Sequence, residues 1–220
     1  LTGQAKLVVY GKDGNSPVEA VRSFIAVNLS PEVHKKLDEI SGQLRQRLPG
    51  PVVRWVAVQN IHLTLKFLGD VSLSNLEVLK NLIRSQANTC PAHTIQVGGL
   101  GAFPTPQRAR VIWVGVQIPQ ELKDVQRRLD EETARLGYPA EERGFSPHLT
   151  LGRVGRNCTP QELRKVADVL GSLQVGPLGE TLVDCIHLYR SDLRPGGSVY
   201  TSLFAAPLAG ARQASNHSVR

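Results

Sequence analysis

Two rhythms of apolar residues alternate along this chain, and the whole alternation occurs twice. Residues 23–29 form a short apolar run that reads as a strand. Pro31 follows where a helix can open, because the first helical N–H has no partner to lose. Val33, Leu37, Ile40, Leu44 and Leu48 then recur at steps of four and three, one apolar helical face that Leu48-Pro49-Gly50-Pro51 terminates. Residues 52–58 predict a strand, Gln59-Asn60 a turn and 61–68 a second strand. Leu73, Leu76, Leu79, Leu82 and Ile83 mark a second helix.

The second half runs in the same order. Residues 110–118 predict a strand, Pro119 opens a helix, and Leu122, Val125, Leu129 and Leu136 lie along its buried face until Gly137 ends it. Ser146-Pro147 leads into a strand over 148–154. Thr159-Pro160-Gln161-Glu162 has the form of a reciprocal helix cap, with Leu163, Val166 and Leu170 as the buried stripe behind it. Further strands are expected at 94–98, 181–189 and 199–205. Two strand–helix–strand–helix series predict an α+β fold of two related lobes.

The tetrapeptide His-Leu-Thr-Leu stands in both series, as residues 62–65 and 148–151. On a strand, residues two apart share a face and lie roughly 6–7 Å from each other, so each histidine has a hydroxyl beside it. One copy would be an ordinary amphipathic strand. Two copies at matching places predict motif strands side by side about a pseudo-twofold axis, lining one cleft. Such a pair suits a phosphodiester. One imidazole can take a proton from the attacking group while the other protonates the departing oxygen, each role worth about two to four orders of magnitude. The hydroxyls of Thr64 and Thr150 can donate to the non-bridging oxygens, where charge grows. This scheme requires no metal and no cofactor.

Composition narrows the setting. A chain of 220 residues with net charge +7 and pI about 9.6 favours an anionic partner, nucleic acid before a membrane surface. No apolar run reaches the roughly 20 residues of a membrane helix, and no secretion signal is legible. Cys90, Cys158 and Cys185 are odd in number and widely spaced, which fits a reduced cytoplasmic protein. Cys90 and His93 have ligand-like spacing without a second cluster to complete a zinc site. Residues 1–20 read as an extension, 21–208 as the single bilobal domain and 209–220 as a polar tail. The absence of Met suggests a trimmed start.

The flanks of the motifs resemble the two-histidine (2H) phosphoesterases, specifically the bacterial RNA 2′,3′-cyclic phosphodiesterases also called 2′-5′ RNA ligases. The first is Asn60-Ile61-His62-Leu63-Thr64-Leu65-Lys66-Phe67-Leu68-Gly69, the second Phe145-Ser146-Pro147-His148-Leu149-Thr150-Leu151-Gly152-Arg153. Gly99-Leu100-Gly101-Ala102-Phe103-Pro104 and the segment from Leu188 to Gly197 extend the likeness, which runs from about Arg22 to Leu208. The resemblance implies a bilobal fold of two pseudo-symmetric antiparallel sheets flanked by helices, with a positively charged cleft between them. It implies hydrolysis of an RNA 2′,3′-cyclic phosphate to a 2′-phosphomonoester, His62 as proton donor to the leaving 3′ oxygen and His148 as the base. Thr64 and Thr150 would hold the phosphate.

Further substrate contacts are expected at Lys66, which has the parity of His62 on a regular strand, and at Phe67, whose ring suits a terminal base. Phe67 and Arg153 have the opposite parity, so a bend would be needed to bring them to the cleft. Core packing is an equal reading for Phe67. Tyr189 and Ser191, flanking Arg190, complete the expected contacts. Arg45, Arg47 and Arg54, or Arg108 and Arg110, could form an RNA-binding rim or simply a soluble surface. The other histidines, His34, His93, His187 and His217, read as incidental, His34 as solvated. The expected partner is RNA with cyclic ends, tRNA fragments among them, bound by a monomer. Two other readings stand beside hydrolysis: a non-catalytic RNA-binding module, and ligation through a 2′-5′ linkage.

Overall fold

Strands from the two halves of the chain are exchanged between two sheets. In this computed structural model, residues 7–10, 17–48, 50–195 and 197–211 are described. Among them, ten strands form two five-stranded antiparallel sheets with four α-helices. In the first sheet β2 (Pro17–Val27) lies between β4 (Leu63–Ser72) and β9 (Cys185–Arg194). There β10 (Gly197–Pro207) pairs with β9, and β1 (Leu7–Tyr10) with the start of β2. The second sheet has the order β3 (Val53–Trp55), β7 (His148–Val154), β6 (Val111–Gln117), β5 (His93–Phe103) and β8 (Pro177–Val183). The pairing of β1 with β2 reaches into the expected extension. Residues 1–6, 11–16 and 212–220 lie outside the described residues.

The helices cross over as well. Helix α1 (Pro31–Arg47) leaves β2 of the first sheet but packs against β8 of the second. Helix α3 (Gln120–Arg135) leaves β6 of the second sheet and packs against β4 of the first. By contrast α2 (Leu76–Ala87) covers β9 and β10, while α4 (Pro160–Ser172) lies beside the 3-10 turn that precedes β6. The two halves interlock in the same way, so one hydrophobic cluster runs through both lobes. No helix among the described residues is long and apolar enough to cross a membrane.

Local chemistry explains where the helices begin. The Ser30 hydroxyl accepts from the Val33 N–H at 3.3 Å, and Pro31 takes the first helical position. At α4 the reciprocal cap is complete: Thr159 Oγ1 accepts from Glu162 N, and the Glu162 carboxylate accepts from Thr159 N. Two strand expectations need correction. The expected strand over 52–58 is only Val53–Trp55, followed by a 3-10 turn at Val58–Asn60. The expected strand over 181–189 is two strands in different sheets: the chain crosses at Asp184, where the buried positions change from Thr181 and Val183 to Ile186 and Leu188.

An irregularity shared by both motif strands positions the site. Against β2, Leu63 and Thr64 pair with Val27 and Ala26, whereas Lys66 and Phe67 pair with Ile25 and Phe24, leaving Leu65 over. Against β6, Leu149 and Thr150 pair with Val114 and Trp113, whereas Gly152 and Arg153 pair with Ile112 and Val111, leaving Leu151 over. Each is a β-bulge at the fourth residue of His-Leu-Thr-Leu. An extra residue reverses the inside–outside parity of everything beyond it.

Candidate active site

His62 immediately precedes β4, His148 opens β7, and the two strands lie against each other. The bulges carry Phe67 to the face of His62 and Thr64, and Arg153 to the face of His148 and Thr150. Phe67 is 57% exposed, as befits a ring on an open face rather than in the core. The same reversal sends Lys66 inward, and this corrects the expectation that it contacts substrate. Lys66 is 1% exposed, and its ammonium donates to the Asp130 carboxylate and the Pro139 carbonyl. It is a buried tie between β4 and α3, directed away from the cleft.

The two imidazoles are held alike at one end. His148 Nδ1 lies 2.7 Å from the carbonyl oxygen of Ser146, two residues earlier. A carbonyl only accepts, so Nδ1 carries the proton and Nε2 is left for chemistry. His62 has a hydrogen bond to the backbone of Asn60, again two residues earlier. Asn60 is itself fixed, because its side-chain amide donates to the Ser198 carbonyl at 2.7 Å.

Their surroundings differ. His62 stacks on Phe24 with centroids 4.6 Å apart at 15°, and the Tyr200 ring meets it edge-on at 5.3 Å. Tyr189 stacks on the same Phe24 at 5.4 Å, and its hydroxyl donates to Asn28 Oδ1 at 2.8 Å. His148 meets Phe103 edge-on at 5.0 Å, and Phe103 packs against Trp113 at 5.1 Å. A Cβ at Gly101 would lie 2.4 Å from the Trp113 ring, so only glycine lets the indole lie there.

Burial among these rings pushes the His62 imidazole down from 6.5 to about 4; the Asn60 backbone bond opposes the shift and nearby His34 adds to it. His62 is therefore neutral near pH 7 in the unliganded protein. The sign for stability follows, because the folded value lies below the unfolded one. The contribution is complete above about pH 6.5 and is lost as pH falls toward 4.

His34 corrects its solvated reading: its Nε2 lies 3.0 Å from the Ile61 carbonyl. With Asn28, Asn60, Tyr189 and Tyr200 it lines a cavity of about 320 Å³ beside His62. Ser191 pairs across from Tyr200 and so shares the face of Tyr189, whereas Arg190 alternates to the other face and pairs with Asp192 at 2.7 Å. His187 stacks on Tyr189 at 5.6 Å. Cys90 Sγ lies 3.7 Å from His93 Nδ1, and burial raises that thiol. No three His, Cys, Asp or Glu groups cluster as a metal site among the described residues. His217 lies outside them. Phe24, Tyr200, His34 and Phe103 were missed in the sequence, where strand aromatics and a helical histidine carry no mark of cross-strand partners.

Comparison with known proteins agrees with this internal symmetry. The profile of the family described as LigT like Phosphoesterase matches residues 27–113 and again 114–200. A Methanothermobacter thermautotrophicus protein named RNA 2′,3′-cyclic phosphodiesterase is 36% identical over 183 residues, covering 83% of this chain and 96% of that one. A crystal structure of TT0787 from Thermus thermophilus superposes with TM-score 0.71 at 27% identity, covering 86% of this chain and 98% of that one. E. coli LigT complexed with 3′-AMP superposes with TM-score 0.67 at 29% identity, covering 86% and 99%. With both halves matched in tandem and the fold shared across nearly the whole of these relatives, the chain belongs to the LigT-like phosphoesterase family.

Proposed function

We propose that this protein hydrolyses RNA 2′,3′-cyclic phosphodiester ends to 2′-phosphomonoesters, with His62 and His148 as acid and base. The observation carrying this reading is the pair of imidazole–hydroxyl sets on contacting strands, each imidazole bonded to the backbone two residues before it. His148 Nε2 takes a proton from water as its oxygen bonds to phosphorus. The bond from phosphorus to the 3′ oxygen breaks, and His62 gives that oxygen a proton, leaving a free 3′-hydroxyl. Thr64 and Thr150 donate to the non-bridging oxygens. Phe67 offers its face to the terminal base, Arg153 its charge to the phosphate, and Tyr189 and Ser191 the floor beside His62. The names of the relatives support the substrate class. Action on tRNA fragments, as a monomer in the cytoplasm, belongs to the same reading.

A donor must be protonated, yet His62 without an anion beside it is neutral near pH 7. The anionic phosphate resolves this, because a negative charge alongside favours the imidazolium. The limb due to His62 is therefore expected at lower pH in kcat/KM, which reports the free enzyme, than in kcat. In Phe24→Leu, which strips a ring from the imidazole, that limb of kcat/KM should move up toward 6.5. A limb that stays in place means that burial against Phe24 does not set it.

The direct test is incubation with an end-labelled oligoribonucleotide carrying a 2′,3′-cyclic phosphate, with and without EDTA. A 2′-phosphate product at the same rate in both supports the proposal. A 3′-phosphate product, or strong inhibition by EDTA, counts against it. Salt-sensitive RNA binding without product identifies a binding module. Adding a 5′-hydroxyl RNA and finding a 2′-5′ joint identifies a ligase.

A further inference from the structure

The carbonyl just before each motif histidine is held in a different way. At the second motif, β6 runs on to Gln117, and the Val116 N–H donates to the Pro147 carbonyl at 3.3 Å. Leu29 is the counterpart of Val116, because Val27 and Val114 stand opposite Leu63 and Leu149 at equivalent places in the two strand pairs. Yet β2 ends at Val27. The chain turns there toward the second sheet, where the Ser30 N–H donates to Thr181 Oγ1 at 3.1 Å and α1 begins. Among the described residues, no backbone N–H takes the place of Val116 at the Ile61 carbonyl. Ile61 is only 3% exposed, and an acceptor left without a donor in such surroundings is costly. Helix α1 supplies the missing donor from its side. His34 lies one turn past the Ser30 cap, and its ring Nε2 is 3.0 Å from the Ile61 carbonyl oxygen. A carbonyl only accepts, so Nε2 carries the proton and donates.

We propose that His34 is a positioning residue for the acid: its imidazole replaces the strand N–H that β2 no longer offers, and fixes the peptide from which His62 projects. The group it grips is the peptide link between Ile61 and His62, and both histidines line the same cavity. Asn60 restrains the His62 ring, whereas His34 restrains the main chain that carries it. A general acid works only within hydrogen-bond reach of the leaving oxygen, and a misplacement of about 1 Å can cost about 10²-fold in rate. His34 acts through His62 and not on the phosphate. This role rests on the proposed hydrolysis, with His62 as donor, and deepens it: one half of the pseudo-symmetric site uses a side chain where the other uses backbone.

The test follows three variants on a cyclic-ended trinucleotide, each assayed below its own unfolding midpoint. His34→Ala removes the donor, and His34→Asn keeps an amide one bond short of it. His34→Gln carries an amide N–H as many bonds from Cα as Nε2, without a charge. The kcat should fall about tenfold or more in the Ala and Asn variants. In His34→Gln it should stay within about threefold of the wild-type value, and KM should stay within about twofold in all three. In a His62→Ala background, His34→Ala should cost no further rate, because its effect passes through the imidazole already removed. Equal losses in the Gln and Asn variants, a loss carried by KM, or a further loss without His62 overturns the positioning role. A wild-type kcat in His34→Ala, beside a slow His62→Ala, overturns it alone and leaves the functional reading standing. Full turnover by His62→Ala itself overturns the reading of His62 as the acid, and the role of His34 with it.

Discussion

Alanine at His62 or at His148 is expected to slow hydrolysis of a cyclic-ended oligoribonucleotide by about 10²–10⁴-fold in each case, with RNA binding largely kept. Each imidazole is given a separate proton transfer, so the loss of either one stalls the reaction. The double variant should be little slower than the worse single one, because groups acting in one transition state are not additive. Single-turnover rates at saturating enzyme separate this chemical loss from weaker binding. Full turnover by either variant would place the chemistry elsewhere. The His62 variant should also lose its share of the acid sensitivity of the fold. Its unfolding free energy should fall less steeply than the wild type's between about pH 6.5 and 4, the window in which burial makes this imidazole resist a proton.

Lys66→Ala should leave the chemistry intact and weaken the fold. The Lys66 stem is fully enclosed, and its ammonium satisfies both the Asp130 carboxylate and the Pro139 carbonyl. Asp130 also accepts from the Glu141 backbone N–H at 3.2 Å, so one lysine ties β4, α3 and the segment leading to His148. Removing it leaves a cavity and a carboxylate with 17% exposure and no cation, a loss of about 3 kcal/mol or more. For a chain of this size that lowers the unfolding midpoint by roughly 10 °C. At a temperature where the variant is folded, KM for the oligoribonucleotide should stay within about twofold of the wild-type value. A raised KM with an unchanged midpoint would instead mean that Lys66 reaches the substrate.

Much of this arrangement was legible in the residues. The spacing from Val33 to Leu44 and the reciprocal cap at Thr159 and Glu162 located α1 and the start of α4, because helix periodicity and capping are local. The paired His-Leu-Thr-Leu segments located both motif strands for the same reason. The exchange of strands was not legible. The chain crosses from one sheet to the other at Asp184, where the buried positions shift from Thr181 and Val183 to Ile186 and Leu188; in a sequence, a shift of one residue reads equally well as a bulge within a single strand.

The cleft faces divide along the same line. Alternation alone put Lys66 beside His62 and turned Phe67 and Arg153 away from the motif histidines. Nothing in Leu65 or Leu151 announces that each is left unpaired by its neighbouring strand. Residue types and their order determined which groups can carry protons and hold a phosphate. Pairing with β2, β3 and β6 decided which groups face them, because a bulge is a property of two strands in register. The ring stack on His62 was likewise a tertiary outcome: Phe24 lies on β2, far in sequence from Tyr189 and Tyr200 on the β9–β10 hairpin, and their packing withdraws that imidazole from water.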